Sequence, residues 1–440
     1  MKNSRDSITP STPMCWLEDC WRWPSCARGV DRMGKRLNAA GALLLAAGLL
    51  TGCWNQRESD TVEYVLAAGI DYNERGQIVL TVLTPVLPAL KPLQGAKSEQ
   101  KKTLSVAGNT TFEACDHYIQ LTGRRLFWSH LQVLLIGEQA ARKGVTGYLD
   151  FFSSNPELRG TANIAVVKGR ALDILEASPD ITENAATYLK ALLGNMKQFG
   201  DSPQIEYTDF ARALADPKGG QPYAPMVKLY QQSDFDRKQI GVPPYEGKDT
   251  NQSVVYYLEG AAVFRDDRMV GYLDDEQTLG LLWARNELRS TIVVVPCRNE
   301  ACSISLNVNE SSSSSRIKVR YADGRAQISV NVSLTFNIGD KASSSMVIDD
   351  DYIRYLEEAL ARKVKKEIAA AFDQAVGNHH ADVFAFGNRL EDWRPRLWEQ
   401  IRDQWETVIL PQAQIDITVT TQLRRTSRNL YSPWVRPGDR

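Results

Sequence analysis

From Tyr64 onward, apolar residues fall into short runs separated by Gly, Pro, Asn and Asp. Tyr64–Asp71 and Gln77–Thr84 are apolar-rich and flank Asn73-Glu74-Arg75-Gly76, a turn-forming sequence, so together they predict a β-hairpin. A loop opened by Pro85, Pro88 and Pro92 follows, and then Thr103–Ala107 reads as a strand. Thr110-Thr111-Phe112-Glu113 has the spacing of a capping box, in which side chains satisfy the orphan amides of a new helix. That helix is predicted to carry Phe112, Cys115 and Ile119 on its apolar face. Leu131–Ile136 and Asn163–Val167 are continuous apolar strands, each followed by a helical pattern. Strands alternating with helices at this spacing imply a mixed α/β or α+β domain.

Residues 201–255 are weaker in pattern and rich in Pro, Gly, Gln and Asp, as a connection would be. From Leu258 the chain turns mainly to strands. Ala261–Arg265 and Met269–Leu273 flank Asp266-Asp267-Arg268, strands at 291–295 and 303–308 follow, and Ser311–Ser315 predicts an exposed loop tip. Arg316–Tyr321 and Ala326–Ile338 form a further hairpin around Ala322-Asp323-Gly324. Asp349, Asp350 and Asp351 favour a helix start, and Ile353, Leu356, Leu360, Val364, Ile368 and Phe372 recur at helical spacing behind them. Such a helix packs on its own sheet, with a membrane-surface or partner helix as the alternative. A helix around Trp398–Val408 and a strand at Gln414–Gln422 end the pattern. The expected fold class is α+β and multi-domain, with three domains. These are a mixed α/β domain at 53–200, a β-rich middle domain with its connection at 201–310, and a C-terminal sheet packed with long helices at 311–440.

Ahead of these domains lies a different pattern. From Met33 the chain reads Met33-Gly34-Lys35-Arg36, then an apolar run from Leu37 through Leu50, then Thr51-Gly52-Cys53. A short basic segment, an apolar core and small residues before a cut site make a secretory signal peptide at 33–52. The run is shorter than the ~20 residues of a permanent span. Leu50-Thr51-Gly52-Cys53 resembles the bacterial lipobox, which implies a diacylglyceryl group on the Cys53 sulfur and cleavage between Gly52 and Cys53. An N-acyl chain can follow on the new terminus. Two acyl chains hold a protein stably, whereas one alone binds a membrane only marginally. The alternative is an ordinary signal peptide with a coincidental cysteine. Residues 1–32 read as an extension of the gene model, with translation starting at Met33.

Composition narrows the class. The chain carries 52 basic and 53 acidic side chains, a formal net charge of −1, so it lacks the basic excess of a nucleic-acid-binding domain. Of the 7 cysteines, Cys15, Cys20 and Cys26 precede the signal peptide and lack the further ligands a zinc site needs. Cys297 and Cys302 sit at the ends of neighbouring strands, where an exported protein can form a disulfide; a metal site without other ligands is the weaker option. Cys115 reads as a buried small hydrophobe.

No catalytic constellation emerges. Histidine is limited to His117, His130, His379 and His380. The His379-His380 pair predicts a solvated loop, and there is no zinc-helix motif, P-loop, nucleophile elbow or dinucleotide fingerprint. Gly200-Asp201-Ser202 resembles the nucleophile block of GDS-type esterases, but no buried strand precedes it and no histidine has an aspartate three residues earlier. A polar turn is the better reading.

Several blocks together resemble the Ger(x)C family of spore germination lipoproteins. The lipobox continues as Cys53-Trp54-Asn55-Gln56-Arg57-Glu58, where Ser59 departs from the family's usual aliphatic residue. The similarity resumes at "VLAAGID" (Val65–Asp71), "RRLFWSHLQVLLIGE" (Arg124–Glu138), "DFFSSNPELRG" (Asp150–Gly160) and "VVKG". It continues in "EGAAVFRDDRMVGYLDDEQTLGLLW" (Glu259–Trp283), "ADVFAFG" (Ala381–Gly387) and Trp398–Trp405. The resemblance implies a non-enzymatic subunit of a nutrient germinant receptor, anchored on the outer face of the spore inner membrane beside a multi-span A subunit and a permease-like B subunit. It implies no cofactor beyond the covalent lipid on Cys53, and leaves open whether this subunit touches the nutrient. Glu157 and Arg159 are expected to fix a turn or to dock a receptor partner. The alternative function is a solute-binding lipoprotein of a transporter, with an extracytoplasmic hydrolase third.

Overall fold

A mixed sheet of eight strands forms the first half of a computed structural model, which describes residues 61–85, 101–177, 185–200, 202–216, 220–231, 254–298, 302–341 and 348–424. Across the sheet the strands run Arg268–Leu273, Val254–Arg265, Tyr223–Gln231, Asn163–Val167, Val133–Gly137, Ala67–Tyr72, Ile78–Pro85 and Lys101–Gly108. The four central strands from Tyr223–Gln231 to Ala67–Tyr72 are mutually parallel, and antiparallel pairs flank them on both sides. Parallel central strands are buried on both faces, which is why Val133–Gly137 and Asn163–Val167 are buried at every position. One face packs under Thr111–Thr122, Thr146–Ser154 and Tyr207–Ala215, through Tyr118, Tyr148, Phe152 and Phe210. The opposite face packs under Ala171–Glu176 and Ala185–Phe199, through Ile174, Leu175, Leu189 and Leu193.

The second sheet has four strands in chain order: Ser290–Pro296, Ser303–Ala322, Arg325–Lys341 and Gln414–Leu423. The first three are antiparallel and the last runs parallel to its neighbour. Alternating burial along Ser290–Pro296 marks a sheet covered on one side only, with Ile292 and Val294 exposed on the other. The covering element is the helix Asp350–Phe372. Asp349 caps its first turn by accepting from Tyr352 N at 2.7 Å, and the six apolar residues picked out by periodicity are all buried. Asp275–Arg285 packs across this helix and joins the two sheets. Its Gly280 lies so close that a Cβ there would stand 2.0 Å from the Glu367 carbonyl oxygen.

The α+β, multi-domain reading stands, and three local readings change. Residues 201–310 do not make a sheet of their own. Tyr223–Gln231, Val254–Arg265 and Arg268–Leu273 complete the first sheet, and Ser290–Pro296 opens the second. Ser311–Ser315 is not a loop tip but lies within the strand Ser303–Ala322, at a register shift between Val308 and Ser313. Ser315 Oγ donates to the Ala284 carbonyl at 2.7 Å, which ties this irregular stretch to the end of Asp275–Arg285. On Thr111–Thr122 the buried face is Thr111, Ala114 and Tyr118, while Phe112 is 73% exposed. Tyr118 decides the orientation, because its hydroxyl donates to buried Glu63 at 2.7 Å.

Candidate functional site

Cys53 and Gly52 lie outside the described residues, as do the signal peptide and residues 1–32. The described residues with the strongest sequence signals fall into three joints and two clefts, built mostly from carboxylates that hold backbone amides.

The first joint explains "VLAAGID". Asp71, at the end of Ala67–Tyr72, accepts from the backbone N–H of Ala171 and Leu172, both at 3.0 Å, and so anchors the N-terminus of Ala171–Glu176. Burial raises its pKa, and the two backbone bonds oppose that rise. Gly137 of the "LLIGE" block faces it. A Cβ at Gly137 would stand 1.9 Å from Asp71 Oδ1, so any larger residue here would push the Asp71 carboxylate off its two backbone amides.

The second joint comes from "RRLFWSHL" and "NPELRG". Arg125 donates to Glu157 at 2.8 Å, and the other Glu157 oxygen accepts from Trp128 N at 3.4 Å. Trp128 packs edge-on against Phe151 and Phe152. Thr61 O accepts from Arg125 N at 3.1 Å, so the chain enters the fold beside this joint. Glu157 therefore fixes a turn. Arg159 lies elsewhere, in the smaller cleft.

The third joint surrounds fully buried Asp382 of "ADVFAFG". Its two oxygens accept from Phe386 N (2.9 Å), Gly387 N (2.7 Å) and Trp405 Nε1 (3.0 Å), capping Phe386–Trp393 and holding the Trp398–Trp405 pair in place. Glu406 accepts from Asp382 N at 3.2 Å and from Gln221 Nε2 at 3.0 Å, which links the start of Tyr223–Gln231 to the C-terminal region. Burial pushes the Glu406 carboxyl up to about 7, against those two hydrogen bonds. Nearby, Arg285 donates to Glu287 at 2.7 Å and to the Val383 carbonyl at 2.7 Å, while Tyr223 OH donates to Glu287. A cleft of about 560 Å³ opens beside this network, between Tyr207–Ala215 and the end of Asp275–Arg285.

The smaller cleft, about 380 Å³, lies where Val133–Gly137 and Asn163–Val167 begin. Gln132, Arg159, Asn163, Lys190, Gln204 and Glu206 line it.

Other sequence readings resolve as follows. Cys297 and Cys302 are joined by a disulfide with Cα atoms 5.4 Å apart, and Cys297 N donates to the Cys302 carbonyl at 3.0 Å. Cys115 is half-buried, and desolvation pushes its thiol up to about 12, which keeps it protonated and unreactive. The His379-His380 pair lies in the turn after Asp373–Asn378, as a loop, but half-buried rather than fully solvated. His379 packs against Gly271 and Gln374, and desolvation lowers its pKa. Ser202 is buried, and among the described residues its Oγ has no hydrogen-bond partner and no base beside it to activate it. Among the described residues, no group of three or more His, Cys, Asp or Glu side chains is placed to hold a metal ion.

Comparison with known proteins agrees with this arrangement. A profile for the spore germination protein N-terminal domain matches residues 55–229, and one for the GerAC-like C-terminal domain of spore germination proteins matches residues 259–427. The chain belongs to the GerAC family of spore germination proteins. Among its relatives is spore germination protein KC of Bacillus subtilis, 27% identical over 403 residues, which covers 90% of this chain and 97% of that protein. The putative spore germination protein YfkR of the same organism is 24% identical, covering 85% and 94%. The crystal structure of the GerBC protein matches with a TM-score of 0.52 at 15% identity, covering 81% of this chain and 97% of that one, and shows the same fold.

In this GerAC-family chain the quoted blocks therefore coincide with the joints. Glu406, Gln221 and Glu287 escaped the sequence reading, because only the fold brings them to their partners, and so did Lys190, Gln204 and Glu206 of the smaller cleft. A weak signal existed for Arg285, which stands two residues beyond the block ending at Trp283.

Proposed function

We propose that this chain is a lipid-anchored, non-enzymatic C-type subunit of a spore nutrient germinant receptor. It acts with A and B membrane subunits at the outer face of the spore inner membrane. One observation carries the reading: the two family segments span residues 55–427 and begin directly after a lipobox cysteine. The lipid on Cys53 then holds the folded domains at the bilayer surface, where their faces can meet membrane partners. The buried carboxylates support a scaffold role, since Asp71, Asp382 and Glu406 spend their lone pairs on backbone amides and side-chain donors. The two sheets differ in strand number and order, which weighs against the paired similar lobes of a transporter's solute-binding lipoprotein.

The experiment is Cys53→Ala in spores. The expected outcome is loss of the protein from the membrane fraction together with slowed nutrient-triggered germination, while germination by agents that bypass receptors is unchanged. Normal nutrient response with the variant in the soluble fraction would overturn the anchoring.

A further inference from the structure

The uncovered face of the second sheet carries a charge pattern that scaffolding does not use. Along Ser303–Ala322, the side chains of Ile317, Val319 and Tyr321 turn toward the core. Arg316, Lys318 and Arg320 alternate with them, so all three cations stand on the opposite face, and all three are exposed. Consecutive members are about 7 Å apart along the strand. Arg325, which pairs with Ala322 across the turn, adds a fourth exposed cation to the same face.

A sheet face that is merely solvated sets opposite charges side by side, because such pairs stabilise and like neighbours repel. Here the residues directly opposite Arg316, Lys318 and Arg320 are Asn331, Ser329 and Gln327, all neutral. One strand further lie Thr418, Asp416 and Gln414, so the carboxylate in these rows stands roughly 10 Å from Lys318. None of the four cations has an ion-pair partner among the described residues. Exposed cations of the helix Asp350–Phe372 do have partners: Arg354 pairs with Asp351, Arg362 with Glu358 at 3.3 Å and Lys366 with Glu276 at 3.9 Å. Neither cleft reaches the basic face, and its exposed neighbours Thr418 and Thr420 are neutral hydrogen-bonding groups. Its counterpart is therefore a flat array of anions, not a small solute.

We infer that this face docks on an anionic lipid bilayer, with Arg316, Lys318, Arg320 and Arg325 on the lipid phosphates. A guanidinium presents paired N–H donors that match phosphate oxygens. Each such cation favours contact with an anionic surface by about fivefold, so four compound to about 600-fold. The inference rests on the lipid-anchored reading, which keeps the sheet near a bilayer, and adds an orientation to it. The covered side of the sheet, with Asp350–Phe372, faces away from the membrane.

The test is amine labelling of the full lipoprotein on vesicles, read residue by residue by mass spectrometry. One set of vesicles is phosphatidylcholine, and the other is equal parts of phosphatidylcholine and phosphatidylglycerol. Lys318 should be labelled at least about fivefold more slowly on the anionic vesicles, and Lys365, exposed on the helix behind the sheet, equally on both. One-molar salt should remove the protection, because it shortens the range of charge interactions to about 3 Å. The double variant Arg316→Gln, Arg320→Gln keeps Lys318 as the reporter and should lose most of the protection. Its unfolding midpoint should not change, because both positions are exposed. Equal labelling of Lys318 on the two vesicles would overturn the inference. So would protection that persists in the double variant, protection on neutral vesicles, or protection already present in neutral detergent, where a second copy of the chain would be the cover. Failure of the anchor is read separately, as loss of the protein from phosphatidylcholine vesicles on flotation.

Discussion

Glu367→Gln is a sharp test of how the C-terminal region is held together. Glu367 is 2% exposed on the inner side of Asp350–Phe372, and its carboxylate accepts from Trp283 Nε1 at 2.9 Å. Burial pushes the carboxyl from its ordinary 4.5 up to about 7, although the Trp283 bond and the cations Lys363 and Lys366 pull it down; Glu276 adds to the rise. The native state therefore keeps a proton that the unfolded chain has released. Unfolded chains binding fewer protons than folded ones means that stability falls as pH rises. This contribution is fully present below about 4.5 and is lost by about 7. At about 1.4 kcal/mol per pH unit, the loss amounts to at most ~3.5 kcal/mol. Glutamine removes the ionisation and keeps an oxygen for the Trp283 N–H. It gives up the stronger bond to a charged acceptor, about 1 kcal/mol.

The variant should match wild type near pH 5 and exceed it by about 1–2 kcal/mol at pH 8. Urea unfolding of the full chain at pH 5, 6, 7 and 8, followed by tryptophan fluorescence, reads this difference directly. Glu406 titrates in the same window in both proteins, so the difference between them isolates Glu367. Stability curves that stay parallel across this range, or a variant less stable at pH 8, would refute the reasoning.

Two further substitutions probe the other joints. Asp382→Ala leaves three donors buried and unmet, those of Phe386, Gly387 and Trp405, and should cost about 3–5 kcal/mol in the same denaturation assay. Asp382→Asn keeps one oxygen and should lose roughly half as much; a cost below about 1 kcal/mol for the alanine variant would contradict the role given to this capping carboxylate. Gly280→Ala would ordinarily strengthen a helix by about 1 kcal/mol. Here the Cβ meets the Glu367 carbonyl oxygen at 2.0 Å, so a net loss of about 1–3 kcal/mol is expected, and a gain would show that the two helices can separate.

Local pattern alone located most elements. The hairpin around Asn73–Gly76 closes as its turn residues require, with Asn73 Oδ1 accepting from Arg75 N and Gln77 N at 3.0 and 2.9 Å. Thr110 caps its helix, accepting from Glu113 N at 3.1 Å, while Glu113 reaches back to Asn109 N rather than to the cap residue itself. These features depend on residues two to four positions apart, which is the range over which side-chain period and capping chemistry act. The choice between two competing faces of one helix lay beyond that range. Phe112, Cys115 and Ile119 had the better apolar spacing, yet Tyr118 won through a bond to Glu63, 55 residues away.

The sequence by itself determined the elements, the family and the single cysteine expected to carry lipid, because each is encoded in contiguous residues. Only the tertiary structure decided that the strands of residues 223–273 complete the first sheet. It also decided that Asp71, Glu157 and Asp382 serve as joints, and that four basic side chains meet on the uncovered face of the second sheet. Sheet order and burial arise from contacts between residues tens to hundreds of positions apart. Whether a charged side chain finds a partner is settled only when the neighbouring strands are in place.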